Sequence, residues 1–596
     1  MAIQTSFTTN TTAADALDTL NAALTSISTI NGQIAAIPPL ASFGSATVAQ
    51  NEGNSGTTAF IFPVTLDKVW QNDLTYEYVT VASATLPASA TDFVGGVFPR
   101  GILTIPAGSV SASISIPVAG NTTAEPNKNF IVRLYRVAAT SLGTILNDDN
   151  AGARMTQPWT SGEQLYAMDP DQISGADGSR VTTHTDPASS IVATAPGGTG
   201  PTLVKNVANG HAVLRFAGAT AERLTIGKPA SVVAATASGI NWSYVLVIKS
   251  PNGNGSLNCP FGDDYSNDGT FSVAYASGAG AKYGGAIVPY GTFARDVRDD
   301  IKTLAFSGEP ISGAGGRHFY NGVISNTSQT GKLGQNNDIL LGAGANGAAA
   351  PGFAYQGDIL GLYIINRALT APEMLQAHLW ACNKFGKASP LAGRTYFPVF
   401  DGDSITKGIG ATNTTSYPSQ IAIDRAWPLG AWANVGKPSA QMASSGTNAN
   451  TLMDKAVRDV DGFADVTGLP VVLISGEWYN QGAAGGSSAN GVPLANNNRT
   501  YATTRKATGK FAKQFHWTST ASNRNGGSRD SFNASLVSTP GDFDYIIPLH
   551  TNATIGVDGT ETNTTYFGDQ VHPTAAGYTV MKSVIAAAMA ANGYST

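Results

Sequence analysis

The stretch YFPVFDGDSIT, residues 396–406, dictates how the last third of this chain folds. Its first five residues are a short continuous apolar run of the buried parallel-strand type. Asp401-Gly402-Asp403-Ser404 then breaks the run into a turn. Two further runs of the same type follow, VVLIS (471–475) and DYIIPL (544–549). Helical segments intervene, and the chain closes on a long one, TAAGYTVMKSVIAAAMAANG, from Thr574. Strands alternating with helices predict an α/β layer structure with a parallel sheet. A serine just past the C-terminal end of such a strand, among small neighbours, sits exposed at a strand-to-helix turn. Open α/β sheets place their ligands there.

A Gly-Asp-Ser turn alone is common. What raises Ser404 above a turn residue is Gly568-Asp569-Gln570-Val571-His572-Pro573-Thr574-Ala575-Ala576-Gly577-Tyr578. A serine that attacks an acyl carbon needs a base to take its proton, and the base needs a carboxylate to fix its tautomer. Asp569 and His572, three apart in the loop before the last helix, supply both. His516 and His550 are the other candidate bases and read as surface or structural histidines.

Together these segments resemble the SGNH (GDSL-like) hydrolase family over residues 393–596, about a third of the chain. The resemblance implies an α/β/α fold for 389–596 and a cofactor-free esterase. Ser404 takes the nucleophile's place, and Asp569 and His572 take those of the family's D-x-x-H. Gly436, in Asn434-Val435-Gly436-Lys437-Pro438-Ser439, takes that of the glycine whose N–H helps hold the oxyanion. The family's G-x-N-D after the central strand is altered to Gly476-Glu477-Trp478-Tyr479-Asn480-Gln481. The implied oxyanion donors are therefore the N–H groups of Ser404 and Gly436, with the Asn480 side chain as the third.

Upstream, residues 151–388 read as β-rich. WSYVLVIKS (242–250) and GDILGLYIINRAL (357–369) are strands, and Thr370 is the N-cap of a helix running to about Phe385. The block resembles a concanavalin A-like (laminin-G-like) jelly roll through Asp169, NGHAVLRFAG and its strand, Asn-Arg-Ala-Leu, helix ending. Such sandwiches often bind sugars, with Trp242, Tyr265, Tyr275, Tyr283 and Tyr290 as stacking platforms; core or rim packing is the alternative. Ser389-Pro390-Leu391-Ala392-Gly393 reads as a linker to the α/β part.

Residues 41–150 alternate in strand style, for example TAFIFPVTL (58–66) and NFIVRLYRV (129–137), as an antiparallel sandwich requires. They resemble a Calx-β domain through ASFGSATVAQNEGNSG, TDF, ILTIPAG, AEPNKNF and GTILNDDN. In that family acidic side chains at one end can bind calcium, and Glu52, Asp92, Glu125, Asp148 and Asp149 match acidic positions. Lys128 and Asn121 stand where further acids are usual. Hard cations need several carboxylates, so the expectation is a spacer sandwich rather than a calcium site.

Residues 13–37 predict a helix ended by Pro38-Pro39. Leu17, Leu20, Leu24, Ile27 and Ile34 follow a heptad a/d series, with Asn10 and Asn31 at a and Ala13 at d. Residues 1–40 thus read as a self-association and attachment segment, with a trimer preferred; packing on its own domain is the alternative. The first residues carry no basic and apolar signal-peptide pattern, and no run of 18 apolar residues spans a membrane.

Composition fits this division. Gly supplies 67 of 596 residues, and charged residues are 13%, against the roughly 25% of ordinary chains. With 35 Lys+Arg facing 40 Asp+Glu, no basic excess points to nucleic acid. Two cysteines, Cys259 and Cys382, make no disulfide framework, and none of the seven histidines has zinc-ligand spacing, so no metal is expected.

The expected chain is therefore a short coiled-coil helix, two β-sandwiches and a terminal hydrolase. That series resembles a bacteriophage tail fibre or tailspike, made in the host cytoplasm and carried on the virion tail. Its expected partners are other tail proteins at the N-terminus and bacterial capsule, O-antigen or exopolysaccharide, from which it removes O-acetyl groups. A non-enzymatic receptor-binding fibre with a decayed hydrolase, and a bacterial surface carbohydrate esterase, are the alternatives.

Overall fold

In a computed structural model the chain divides into two compact units, Met1–Asp149 and Asn150–Thr596. The structure describes residues 12–595 except 36, 54, 84–86, 122–127, 136, 138, 147–155, 220, 239–240, 250–257, 264–270, 276–279, 284–285, 290–300, 309–315, 330–331, 335–336, 346–350, 413, 444–450, 479, 481–490 and 524–525. The whole is multidomain and mostly antiparallel sheet, with few helices outside the last third.

The first unit contains the helix Ala13–Ala35. Its Leu17, Leu20, Leu24 and Ile27 are 57%, 54%, 54% and 43% exposed, so the heptad stripe is left uncovered by the single chain. Two layers follow, antiparallel except where Thr47–Asn51 runs parallel to Ala139–Leu146. One holds Ala41–Phe43, Thr57–Leu66 and Ser111–Ala119; the other holds Thr47–Asn51, Ala139–Leu146, Lys128–Leu134, Leu74–Ala82 and Arg100–Ile105. Alternation fills the core: Phe60, Phe62 and Val64 of one strand meet Phe130, Val132 and Leu134 of another. At the acidic positions, Lys128 Nζ donates to Asp92 Oδ1 at 2.6 Å and Asn121 Nδ2 to Glu52 Oε2 at 3.1 Å. The two residues that depart from the acidic pattern are thus hydrogen-bond donors to the acids that remain. Glu125, Asp148 and Asp149 lie outside the described residues.

The second unit begins with two large antiparallel sheets. The inner one runs Thr202–Ala208, His211–Ala217, Gln356–Ile365, Ser243–Lys249, Ile301–Gly308, Gly316–Tyr320, Val323–Gln329. Its strands read as continuous apolar runs because both faces are covered. Tyr244, Leu246 and Ile248 pack toward the other sheet. Val245 and Val247, on the opposite face, join a cluster with Met374, Leu375 and Trp380 of the helix Ala371–Lys384 and with Leu452, Phe463 and Leu473 of the α/β part. Thr370 caps that helix as expected, accepting from Glu373 N–H at 3.2 Å while Glu373 accepts from Thr370 N–H at 2.7 Å.

Packing in these clusters changes the reading of the linker and of the sugar platforms. Leu391 is buried in the cluster shared with the α/β part, so 389–393 is packed chain rather than a free tether. Trp242 is fully buried between the sheets and offers no stacking face. Tyr265 and Tyr290, and the side chains of Tyr275 and Tyr283, lie outside the described residues. Cys259 and Cys382 are both buried thiols, neither in a disulfide.

The last third is a parallel sheet in the order Ala433–Asn434, Phe397–Gly402, Val471–Gly476, Phe511–Trp517, Tyr545–Ile547. Alternate residues feed two cores. Phe397, Val399, Val471 and Leu473 face the shared cluster. Phe400, Val472, Ile474 and Phe515 face a second cluster with Tyr417 and Ile421 of the helix Tyr417–Asp424 and Tyr578, Met581 and Ile585 of the helix Ala575–Ala591. In chain order the strands run 2-1-3-4-5, and ligands bind such sheets where the order reverses, beside the first strand. That strand is Phe397–Gly402, and Ser404 follows it.

Candidate active site

Ser404 opens a single helical turn, Ser404–Lys407, closed by Gly408 at φ +93°. The turn is compact because Asp403 caps it, its Oδ1 accepting from Ile405 N–H at 2.9 Å. Gly402 is required by close approach: a Cβ there would lie 2.5 Å from the Gly476 carbonyl of the neighbouring strand. Among the described residues none accepts from the Ser404 N–H, which stays open at a helix start.

The loop before the last helix brings His572 to this serine across 168 residues of chain. His572 Nε2 lies 2.9 Å from Ser404 Oγ, and His572 Nδ1 lies 2.7 Å from Asp569 Oδ2. Asp569 Oδ1 also accepts the N–H groups of Val571 and His572 at 3.1 and 2.7 Å. A carboxylate on Nδ1 sets the tautomer with its hydrogen there and leaves Nε2 to accept from Ser404. Partial burial by itself would raise the Asp569 carboxyl; the hydrogen bonds and charge of His572 outweigh it and hold it below the usual carboxylate range. Ser404 is buried to 8% exposure while Asp569 is 58% exposed, so the relay runs from the surface inward.

The expected oxyanion donors are placed less simply. Gly436 packs against the helical turn of Ser404, where a Cβ would lie 2.5 Å from Lys407 N. Its N–H donates to Asn434 Oδ1 at 3.0 Å. Asn480 donates one amide hydrogen to Ala440 O at 2.9 Å, which leaves its second amide hydrogen. Buried Glu477 accepts from Asn480 N–H at 2.9 Å and from Met442 N–H at 3.2 Å, and so ties the loop after the central strand to the loop that follows Gly436.

Sequence reasoning missed three supports of the site. Glu477 is one. Asn434 is the second: its Nδ2 donates to Thr406 O at 2.9 Å while its Oδ1 takes the Gly436 N–H. Asp401 is the third. It is buried on the strand that leads to Ser404, its Oδ2 accepts from Tyr501 OH at 2.5 Å, and burial pushes its carboxyl up to about 7. The only sequence signal for Asp401 and Asn434 was their place beside the Ser404 and Gly436 motifs.

The rival histidines are occupied elsewhere. His516 is buried, pairs with Ser475 Oγ at 3.0 Å and stacks on Phe543 at 4.4 Å; burial pushes it down to about 3. His550 Nδ1 pairs with Thr518 Oγ1 at 2.8 Å. Among the described residues no group of three or more His, Cys, Asp or Glu is arranged to hold a metal, and no helix is long and apolar enough to cross a membrane.

No family profile and no curated protein matches the chain. Among solved structures, a Calx CBD1 domain in its apo form is 22% identical, covering 19% of this chain and 98% of its own, with a TM-score of 0.16. A GDSL-like lipase from Bacteroides thetaiotaomicron is 15% identical, over 34% of this chain and 93% of its own, at 0.25. A Trypanosoma rangeli sialidase in complex with sialic acid is 10% identical, over 58% and 56%, at 0.23. At these scores the likenesses carry no functional weight.

Proposed function

We propose that the chain is an SGNH-type serine esterase that removes O-acetyl groups from bacterial surface polysaccharide, displayed on a homotrimeric phage tail fibre. One observation carries the enzymatic part: the continuous Asp569–His572–Ser404 hydrogen-bond relay, at 2.7 and 2.9 Å. His572 Nε2 takes the Ser404 proton as Oγ attacks the ester carbonyl, and Asp569 stabilises the imidazolium that forms. The Ser404 N–H, the second amide hydrogen of Asn480 and the Gly436 N–H, once it leaves Asn434, are the donors for the oxyanion. His572 then protonates the departing alcohol. Water, deprotonated by the same nitrogen, hydrolyses the acyl-enzyme and returns Ser404.

The fibre part of the reading draws on the uncovered Leu17, Leu20, Leu24 and Ile27 stripe, which copies of the same helix would bury. A surface low in charge suits a neutral glycan, where hydrogen bonds matter more than ion pairs. The test is acetate release from O-acetylated capsule and O-antigen preparations, with Ser404→Ala as control. Release by the wild type and none by the variant supports the reading. Equal release by both, or hydrolysis of lipid esters alone, would sink it.

A further inference from the structure

We propose that Asn523 is a positioning residue that holds the Asp569–His572 turn in its working shape; the proposal rests on the serine-esterase reading. The turn is a demanding one. Asp569 receives the N–H groups of Val571 and His572 and the ring of His572 at once. The backbone meets this by passing through Gln570 at φ +62°, a left-handed conformation that side chains other than glycine rarely take. The stem of the turn is closed locally, with Gly568 N–H on His572 O at 3.0 Å. Its strained residue is held from outside.

Asn523 supplies that hold. Its N–H donates to Gln570 O at 3.3 Å and its Nδ2 to Gln570 Oε1 at 3.1 Å. Asn523 can serve because the chain before it is pinned. It follows the strand Phe511–Trp517 through Thr518–Ser522, a run of five buried residues. Thr518 N–H bonds Ile547 O at 3.0 Å, Ser519 N–H bonds Asn533 Oδ1 at 2.9 Å, and Ala521 N–H bonds Ile555 O at 2.7 Å. Asn523 itself is exposed, so its side chain contributes little to the core.

The test measures kcat, KM and Tm on an activated acetate ester for Asn523→Ala, Gln570→Ala and the double variant, with Ser404→Ala alongside. Each single variant should lose roughly threefold to tenfold in kcat, the worth of one hydrogen bond, with KM and Tm held. The double variant should be no slower than either single one, because both remove the same contact. Unchanged kcat in Asn523→Ala, with Ser404→Ala inactive, would overturn the clamp and leave the esterase reading standing. A raised KM at constant kcat, or a fall in Tm that tracks kcat, would also overturn it, by making Asn523 a substrate contact or a fold contact. Full turnover by Ser404→Ala would instead remove the esterase reading and the clamp with it.

Discussion

Arg317, on a strand of the inner sandwich sheet, donates through Nη2 to Asp459 Oδ2 of the α/β part at 2.7 Å. Both side chains are nearly buried, at 12% and 5% exposure. Removing Arg317 takes the nearer cation from buried Asp459 and leaves it the longer contact to Arg458 Nε at 3.8 Å. Arg317→Ala is expected to cost about 3 kcal/mol, measured by urea unfolding of residues 150–596. A loss under about 0.5 kcal/mol, the scale of an ordinary surface change, would contradict this.

The same seam makes the α/β part dependent on the sandwich. Val460 and Phe463 share one cluster with Leu375 and Trp380 of the preceding helix. Each large apolar side chain uncovered costs about 1.5–3 kcal/mol, and a domain has only about 5–15 kcal/mol to lose. Residues 389–596 expressed alone should lack a cooperative melt, whereas 150–596 should show one. A sharp, reversible transition in the shorter fragment would refute the shared core.

Asp401 makes stability fall with pH. Its folded carboxyl titrates near 7, above its ordinary value of 3.8, so between those limits the folded state binds the extra proton and stability declines as pH rises. Asp401→Asn keeps an acceptor for Tyr501 and removes the titration. Its Tm should exceed that of the wild type at pH 7, with the gap closing toward pH 4. A gap that is constant, or that widens in acid, would argue against a buried neutral acid.

Asp569→Asn should leave binding intact and impair the chemistry, because an amide no longer favours the His572 tautomer with hydrogen on Nδ1. The expected loss is on the order of 10³-fold or more in kcat, with KM little changed. Activity within tenfold of wild type would mean that Asp569 does not orient the base.

Leu24→Asp places a charge in the middle of the exposed heptad stripe. If the helix associates through that stripe, sedimentation should show the wild type as a trimer and this variant as a monomer. An oligomer of unchanged mass in the variant would place the association elsewhere.

Much of the site was legible because its chemistry is concentrated in short motifs. Ser404 lies beside a strand end, and Asp569 and His572 share one loop, so their types and spacing survive without coordinates. The supports were not legible. Asn434, Glu477 and Asn523 are ordinary polar residues, each with a partner on a distant segment, and beyond the place of Asn434 beside Gly436 no local pattern marks them. The state of one expected oxyanion donor was not legible either: whether the Gly436 N–H is taken up by Asn434 depends on a side-chain rotamer, not on residue order.

Residue order alone set the kinds of layers: period-two alternation made the first sandwich, continuous apolar runs made the parallel sheet and the inner sheet of the second sandwich, and Thr370 with Glu373 started the helix between them. Which faces those layers bury was left to the assembled fold. WSYVLVIKS reads as a strand, yet nothing local says that it is covered on both faces, by a sheet on one and by a helix that also packs on the α/β part on the other. Burial is a property of what packs against a residue, and those partners come from distant parts of the chain. That is why Trp242 became core, why Leu391 left the linker, and why the serine and its base, 168 residues apart, meet at 2.9 Å.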